Sequence, residues 1–438
     1  MSIARTLLNS SAAGIGKKVV RKSINIAGIE PAYIKALVQK PAAIHGGPKV
    51  RRFPWPRRRH IGPEEKKAVL DVLDREMRQG GAMVYGGTEE RAYCETFSRY
   101  LGGGYADAVN SGTNAIYVAL RSLDLEPQSE VIVPAITDPG GSMPVALMNC
   151  IPVPADSAPG SLNCSVDQIA AVLTPHTRAI MVAHIGGYPV DMDPILALAR
   201  ERSIPVVEDC AQAHGALYKG KQVGTLGDIS AFSTMFGKHH STGAQGGVVF
   251  TRDRTLFARV RQIADRGKPF GVVGNPQHLV ASLNFNQDEL SMAIGRVQLN
   301  KLQKGIESRR RFAQTVCSSL ENVEGIEVLG DPAGCKSSYW FLLIRLDQSR
   351  LRCSILDFAN ALSLEGIGGV NAGYPFFPTD HPWFDEHKAE GKPGSLSLNN
   401  ARTASNGFIR IDVNESLGEG EARDLARAFT KLAGYFSS

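Results

Sequence analysis

The sequence predicts an α/β protein with a mostly parallel, doubly wound sheet and a smaller α+β domain at the C-terminal end. Short apolar runs alternate with helix-period segments through the middle of the chain, and the loops between them are short. The apolar run at residues 204–207 turns acidic at its end, as a buried strand does when it delivers a carboxylate to a site. With 438 residues, 43% of them hydrophobic, the chain can bury the cores of two domains.

Each predicted element has a local signal. Pro63 opens a helix whose first turn carries Glu64 and Glu65, where acids suit the helix dipole. The apolar face of this helix is predicted to comprise Val69, Leu70, Val72, Leu73 and Met77. Further strands are predicted at residues 130–133, 179–184, 229–232 and 247–251, and further helices at 116–123, 192–202 and 256–266. A long helix ending near Leu320 leads to C-terminal strands near residues 326–329, 339–344 and 408–413.

Charge and cysteine content narrow the class of function. The formal net charge is +6, and much of the excess lies in the first 60 residues. This basic segment suits an acidic partner or a solvated extension, and no nucleic-acid motif accompanies it. The seven cysteines lack CxxC spacing, which argues against a disulfide framework and a zinc site and favours a reducing cytoplasm. No apolar run approaches the ~20 residues that span a bilayer; the N-terminus is too polar for a secretory signal, although its composition is compatible with an organelle transit segment.

A carboxylate, a hydroxyl and an amine lie within one segment, residues 206–251. Asp209 follows its first strand, Ser233 follows its second, and Lys238 lies in a Gly/His/Ser/Thr-rich loop before its third. Pyridoxal phosphate needs such groups: a lysine amine for a Schiff base, a carboxylate that keeps the pyridine nitrogen protonated, and small polar donors for the phosphate. Spacing alone also allows the Asp and the Lys to be a surface pair or a strand cap.

An ordered set of residues adds to this interpretation: Glu208-Asp209-Cys210-Ala211-Gln212-Ala213-His214-Gly215-Ala216, then Gly227-Asp228, Phe232-Ser233, Lys238 and Gly246-Gly247. This pattern resembles the DegT/DnrJ/EryC1/StrS family of sugar aminotransferases. The resemblance implies pyridoxal phosphate as cofactor, with Asp209 paired to its pyridinium, Gln212 near its ring hydroxyl, Ser233 on its phosphate and Lys238 carrying the imine. The dehydratase branch of the family has histidine at the lysine position, so Lys238 favours amino transfer.

Two more motifs extend the resemblance. Residues 109–115, VNSGTNA, place a Ser-Gly-Thr turn at a helix start, a natural phosphate site that is by itself more often an ordinary helix cap. In the family this turn holds the cofactor phosphate, which implies that Gly112 and Thr113 bind the cofactor. The segment at residues 282–299 also matches, and the family's asparagine, here Asn284, reaches the cofactor phosphate of the neighbouring subunit. The resemblance therefore implies a homodimer with shared active sites.

The chain departs from the family at three positions. Asp138 stands where the family has an aromatic residue that stacks on the cofactor ring, and Asn286 and Gln287 replace an arginine and a methionine. A turn-forming Asp before proline explains Asp138 without a catalytic role. His239 and His240 suggest a metal site, but ligand partners are missing at suitable spacing, so we expect them to line the site near substrate or phosphate.

Two other features complete the site prediction. His184 is expected to be a strand-end residue rather than a ligand. The aromatic loop at residues 373–384 corresponds to a region that faces the substrate entrance in the family, although such a loop is often only packing.

The resemblance covers about residues 45–435 and implies a pyridoxal phosphate-dependent transferase of fold type I. We predict a basic extension at residues 1–43, a large cofactor-binding domain at 44–300 and a small domain at 301–438. The expected reaction moves an amino group from L-glutamate or L-glutamine to a nucleotide-linked keto-sugar or a keto-cyclitol by a ping-pong mechanism, without a metal. Two alternatives stay open: a catalytically inactive regulatory or interaction protein on this fold, and an aminodehydroquinate-type synthase with the same cofactor.

Overall fold

The computed structural model describes residues 42–80, 82–270, 274, 277–387 and 397–437. The strands are β1 (Tyr105–Val109), β2 (Glu130–Pro134), β3 (Ile151–Ala155), β4 (Thr177–Ala183), β5 (Val206–Asp209), β6 (Leu217–Tyr218), β7 (Lys221–Gln222), β8 (Ile229–Ser233), β9 (Gly247–Thr251), β10 (Ile326–Val328), β11 (Cys335–Lys336), β12 (Phe341–Leu346), β13 (Val370–Ala372) and β14 (Phe408–Asp412). The α-helices are α1 (Pro63–Gln79), α2 (Thr88–Tyr100), α3 (Gly112–Ser122), α4 (Met143–Leu147), α5 (Val166–Val172), α6 (Met192–Glu201), α7 (Arg254–Ala264), α8 (Glu289–Leu320), α9 (Ile355–Leu364), α10 (Pro382–Asp385), α11 (Asn399–Gly407) and α12 (Glu419–Phe436).

Seven strands form the main sheet, in the order β1-β9-β8-β5-β4-β2-β3. The strands from β8 to β3 run parallel, whereas β9 is antiparallel to both β1 and β8. Successive side chains of a strand point to opposite faces. In β4, Ile180 and Val182 enter one hydrophobic core, and Ala179 and Met181 enter another. The sheet is thus covered on both faces, which confirms the predicted doubly wound, mostly parallel architecture.

The C-terminal part of the chain forms a four-stranded antiparallel sheet, in the order β10-β12-β14-β13. Helices α9 and α12 pack together, with the rings of Phe358 and Phe429 5.4 Å apart. This sheet and these helices agree with the α+β character predicted for the region. Within the described ranges, no helix is both long and apolar enough to cross a membrane.

Helix α8 joins the two sheet units. Met292 and Ile306, in its first part, belong to the core on one face of the main sheet, and Phe312 and Val316 belong to the core of the C-terminal sheet. The boundary predicted at residue 300 lies inside this helix, and the division into domains stays a prediction.

The segment that leads into α1 packs on the C-terminal unit. Arg51 forms ion pairs with Glu421 at 3.0 Å and with Asp424 at 2.7 Å. The side chains of Arg51 and Arg58 are only 12% and 15% exposed, so these two arginines do not belong to a solvated extension. Most of the predicted extension, residues 1–41, lies outside the described residues.

Helix α1 begins at Pro63 as predicted, but its predicted apolar face is partly wrong. Val72 is buried, whereas Leu70 is 46% exposed and Met77 is 81% exposed. Polar contacts contribute to the packing of α1 on α8: Glu65 accepts a hydrogen bond from Lys301 at 2.7 Å. A helix that is held partly by ion pairs does not need a continuous apolar stripe.

Candidate active site

The carboxyl ends of β5 and β8 meet at one edge of the main sheet. Asp209 is the last residue of β5 and pairs in register with Ala231 of β8, two residues before Ser233. Strand β5 begins two residues later than predicted because the Ile204 amide still donates to the Ala199 carbonyl at the end of α6, at 2.9 Å. Asp209 lies within the strand, so the sheet fixes the position of its backbone.

Lys238 lies in the loop after β8 and is 7% exposed. Its Nζ is 3.9 Å from the centroid of the Trp340 ring, and no hydrogen bond joins this Nζ to another residue in the described part of the chain. Burial lowers the pKa of Lys238, while the nearby charges of Asp209 and Asp138 oppose that shift. The burial of Lys238 therefore makes its amine easier to deprotonate, and the uncharged amine is the nucleophilic and basic form.

Asp209 is one of two carboxylates whose charges act on this lysine. Burial raises the pKa of Asp209, and the positive charge of Lys238 is among the influences that lower it. The Oδ1 atom accepts a hydrogen bond from the Ala211 amide at 2.9 Å. A buried carboxylate with so few donors retains the capacity to pair with a further cationic N–H group.

Three side-chain donors hold the backbone of the lysine loop. The Arg58 guanidinium donates to the Phe236 carbonyl at 2.9 Å and to the His239 carbonyl at 3.1 Å. The Trp340 indole N–H donates to the Gly237 carbonyl at 2.9 Å. Sequence reasoning missed both residues, because nothing local distinguishes Arg58 from its neighbouring arginines or marks the residue before β12 as part of the site.

The start of α3 lies against the end of β8. The Ser111 hydroxyl caps the helix by accepting the Asn114 amide at 3.1 Å, which leaves the first-turn amides of Gly112 and Thr113 available to another acceptor. A Cβ on Gly112 would lie 2.5 Å from the Cβ of Ser233, so only glycine permits this approach. Gly112 and the adjacent Thr113 therefore lie at a helix start beside Ser233, an arrangement that we call the anion cradle because it suits an anion.

Gln212 connects the main sheet to the aromatic loop. Its Oε1 accepts from the Gly186 amide at 2.8 Å, and its Nε2 donates to the Tyr374 hydroxyl at 3.0 Å. Tyr374 is buried and was anticipated only as a member of that loop. One N–H of the Gln212 amide remains for a further acceptor.

Asn284 lies on the surface of the described chain. Its Oδ1 accepts from the backbone amide of Asn286 at 3.1 Å and from the Asn286 side chain at 2.7 Å. Asn286, which replaces the family's arginine, bridges Val109 just before the Ser-Gly-Thr turn. The expected contact of Asn284 with the neighbouring subunit's site stays a prediction.

Asp138 forms the turn that was predicted for it. It precedes the 3₁₀ turn Pro139–Gly141, and its Oδ1 accepts the Gly140 amide at 3.0 Å. Its charge also reaches Lys238. The aromatic ring next to the lysine is that of Trp340 in the C-terminal unit, instead of a residue at position 138.

His240 belongs to the protein core and does not line the site, contrary to the prediction. It is 0% exposed, its Nε2 lies 2.7 Å from the Tyr93 hydroxyl, and the two rings stack 5.6 Å apart. Burial lowers the pKa of His240 to about 3. His239 turns its Nε2 toward the Ser338 carbonyl, 3.1 Å away.

His184 is a strand-end residue, as predicted, and contacts Glu208. Its Nε2 lies 3.1 Å from Glu208 Oε2, while its Nδ1 accepts the Val190 amide at 3.0 Å. With Cys210 these two residues form the one His/Cys/Asp/Glu cluster of metal-site geometry in the described ranges. The Glu208 oxygens are already occupied by three further donors, the amides of Gly224, Leu226 and Gly227, each 2.7 Å away. The cluster is thus explained by internal hydrogen bonds.

A mostly parallel sheet with a buried lysine and carboxylate at its carboxyl edge, facing a small α+β unit, is typical of an α/β enzyme. Its fold matches an aminotransferase from Psychrobacter cryohalolentis with a TM-score of 0.78 and 28% identity, covering 88% of this chain and 99% of that one. Residues 60–430 match the DegT/DnrJ/EryC1/StrS aminotransferase family model, and the chain belongs to this family. The predicted family, fold and enzyme class are confirmed.

Two curated relatives illustrate the match. The chain is 31% identical to a putative L-glutamine:3-amino-2,3-dideoxy-scyllo-inosose aminotransferase of Micromonospora echinospora, over 77% of this chain and 80% of that protein. It is 40% identical to Protein MosB of Rhizobium meliloti over 219 residues, which span half of this chain but only 42% of MosB.

Proposed function

We propose that this chain binds pyridoxal phosphate through Lys238 and transfers an amino group from L-glutamine or L-glutamate to the ketone of a cyclitol or a nucleotide-linked sugar. The observation that carries the proposal is the buried Lys238 amine, which lies against Trp340 and within the electrostatic reach of Asp209. The name of the Micromonospora relative supports L-glutamine as donor and a keto-cyclitol as acceptor.

The residues present fit the cofactor. The anion cradle of Gly112, Thr113 and Ser233 suits its phosphate, because the Ser111 hydroxyl accepts the Asn114 amide and leaves the amides of Gly112 and Thr113 available. Asp209 has an oxygen available for the protonated pyridine nitrogen, and Gln212 has an N–H available for the ring hydroxyl. These assignments use every predicted site residue except Asn284, which is predicted to act in the site of the neighbouring subunit.

When bound, pyridoxal phosphate supplies a carbonyl carbon for the donor's amine and a ring that delocalises the electrons of the donor's α-carbon. Lys238 Nζ would hold the cofactor at rest and, once the donor's amine has replaced it, would act as the general base that moves the proton from the donor's α-carbon to the cofactor. Asp209 would keep the pyridine nitrogen protonated by stabilising its positive charge in a buried setting. In the second half-reaction the same Nζ would move a proton from the cofactor to the acceptor carbon that receives nitrogen.

Trp340 covers the lysine amine. It packs against Nζ and bonds to the backbone of the same loop. This contact reduces hydration of the amine, and burial lowers the pKa of Lys238. Tyr374, which is buried beside Gln212, joins the C-terminal unit to the edge of the main sheet.

A homodimer completes this proposal. Leu283, beside the exposed Asn284, is 66% exposed, and Phe236, two residues before Lys238, is 60% exposed. Large apolar side chains left in solvent near a site are typical of a protein interface. A second copy of the chain would cover these side chains and bring its Asn284 to the cofactor phosphate.

The first experiment is the visible absorption spectrum of protein prepared with pyridoxal phosphate. Wild type is expected to be yellow and to lose this absorption on addition of L-glutamine or L-glutamate. Lys238→Ala is expected to be colourless after dialysis, because the covalent attachment is lost. Lys336→Ala, which removes an exposed lysine, is the matched control and should stay yellow.

A colourless wild type that takes up no cofactor would overturn the proposal and favour the inactive interaction protein. If the first half-reaction occurs, a panel of scyllo-inosose and nucleotide-linked keto-hexoses identifies the acceptor. Turnover of an aminodehydroquinate-type substrate to an aromatic product, with no amination of the panel, would favour the synthase alternative.

Shared sites are tested by mixing two inactive variants, Lys238→Ala and Asn284→Ala, under conditions that exchange subunits. A mixed dimer contains one site in which both residues are native. When the two variants are mixed in equal amounts, random pairing makes about half of the dimers mixed, so about a quarter of all sites are native and about a quarter of the wild-type activity should return. Restoration fails if Asn284 serves its own chain or if the protein is a monomer.

A further inference from the structure

A second cavity, of about 540 Å³, lies between the start of α1, the middle of α8 and the residues that follow β14. The residues that matter for its chemistry are Arg59, His60, His239, Lys304, Ser308 and Arg311. None of them belongs to the proposed cofactor site, although His239 is next to Lys238 in the loop. The volume lies within the range of small-molecule sites, about 300–1,000 Å³.

The cavity carries unpaired positive charge. Its two lining carboxylates are already paired: Glu64 with Lys301 at 3.1 Å, and Glu415 with Arg58 at 2.7 Å and Arg309 at 2.9 Å. By contrast, three lining cations have no side-chain hydrogen bond or ion pair to any other described residue. They are Arg59, Lys304 and Arg311. Such a surface favours an anionic ligand, and arginine in particular favours phosphate.

His239 lines this cavity and has one ring nitrogen without a partner in the described structure. Its Nε2 lies 3.1 Å from the Ser338 carbonyl, which can only accept, so the ring proton is on Nε2. Its Nδ1 is then a lone pair, and it is buried without a hydrogen-bond partner. Burial lowers the pKa of His239, which keeps the ring neutral. His60 Nε2 is also buried without a partner.

An unpaired buried acceptor is costly, and a ligand hydroxyl would satisfy it. We propose that this cavity is a second binding site for a hydroxylated phosphate ester, such as a cyclitol phosphate or sugar phosphate. The phosphate contacts Arg59, Lys304 and Arg311, and a hydroxyl of the same molecule donates to His239 Nδ1. This site does not depend on the catalytic proposal, because it uses different side chains.

The test is calorimetric binding of myo-inositol 1-phosphate to the full chain loaded with pyridoxal phosphate, which keeps the anion cradle occupied. Inorganic phosphate and myo-inositol are measured separately. The Lys304→Gln/Arg311→Gln double variant removes two lining cations from the surface of α8. Lys66→Gln/Arg254→Gln removes the same charge from exposed positions outside the cavity and is the matched control.

We expect the ester to bind more tightly than either fragment, the cavity variant to bind it about tenfold or more weakly, and the control to stay within about twofold of wild type. Equal affinity for inorganic phosphate and the ester would overturn the hydroxyl contact with His239. Absent binding of the ester, or unchanged affinity in the cavity variant, would overturn the site itself. The latter result would place the ester in the catalytic site.

Discussion

Glu208 and Asp209 are adjacent, buried carboxylates in the same strand, yet their environments act on them in opposite directions. Glu208 accepts four hydrogen bonds, from His184 and three backbone amides, and its pKa is lowered: burial raises it, but the bond from His184 and the others outweigh burial. Asp209 accepts one backbone amide, and burial raises its pKa. Alternation along β5 explains why neighbours meet such different surroundings.

The difference separates a structural carboxylate from a functional one. Glu208 is satisfied within the protein and fixes the loop at residues 224–227 against β5. Asp209 is left with capacity for a partner that the fold does not supply. An incompletely satisfied buried charge has a folding cost that a ligand can offset, and such groups are frequent at active sites.

Asp209→Asn should produce the largest effect of the comparison. An amide cannot stabilise a protonated pyridine nitrogen as a carboxylate does, so we expect kcat to fall by about 10²–10³-fold. Steady-state kinetics with the accepted donor measures this loss, and circular dichroism checks that the fold persists. Near-wild-type kcat would remove Asp209 from the proposed mechanism.

Glu208→Gln should instead act on stability. The neutral amide presents an NH₂ group to donors that need acceptors, so we expect the free energy of unfolding to fall by about 2–4 kcal/mol. Urea titration of the apoprotein gives this value. The fraction of Glu208→Gln protein that remains folded should have a higher kcat than Asp209→Asn. A lower kcat for Glu208→Gln than for Asp209→Asn would contradict the assignment of roles.

The two carboxylates should also differ in how they change the stability of the protein with pH, and this effect should be smaller than the two above. Since the pKa of Glu208 is below its ordinary value of 4.5, its contribution to stability is present above that pH and is lost as pH falls through the lowered pKa. For Asp209, whose pKa is raised above 3.8, stability is highest below pH 3.8 and is lost as pH rises from 3.8 through the raised value. Apo Asp209→Asn should therefore be more stable than wild type at pH 7 but not at pH 3, whereas the deficit of Glu208→Gln should shrink on acidification.

Local sequence patterns were enough to predict which edge of the sheet carries the candidate site residues. Asp209, Ser233 and Lys238 stand at or after buried strand ends, and parallel strands necessarily bring such ends to one edge. The Ser-Gly-Thr turn likewise predicted a helix start, and a helix does begin at Gly112. In the structure Gly112 also lies against Ser233.

The parts that were missed come from distant segments. Trp340 bonds to a residue 103 positions away, Tyr374 to one 162 away, and Arg58 to one 181 away. No short-range periodicity encodes such contacts, because each depends on how the C-terminal unit and the lead-in segment pack on the main sheet. For the same reason the pairing of Glu65 with Lys301, which replaces apolar contact along part of α1, was not visible from the helix alone.

Helix α8 has a further consequence for the cooperativity of unfolding. Its 32 residues form a rod of about 48 Å whose two halves belong to different hydrophobic cores. Because no loop separates these cores along the rod, fraying of one half withdraws packing from the other. We therefore expect a single calorimetric transition for the apoprotein, with both sheets melting together, and two resolved transitions would show that the rod can bend without loss of either core.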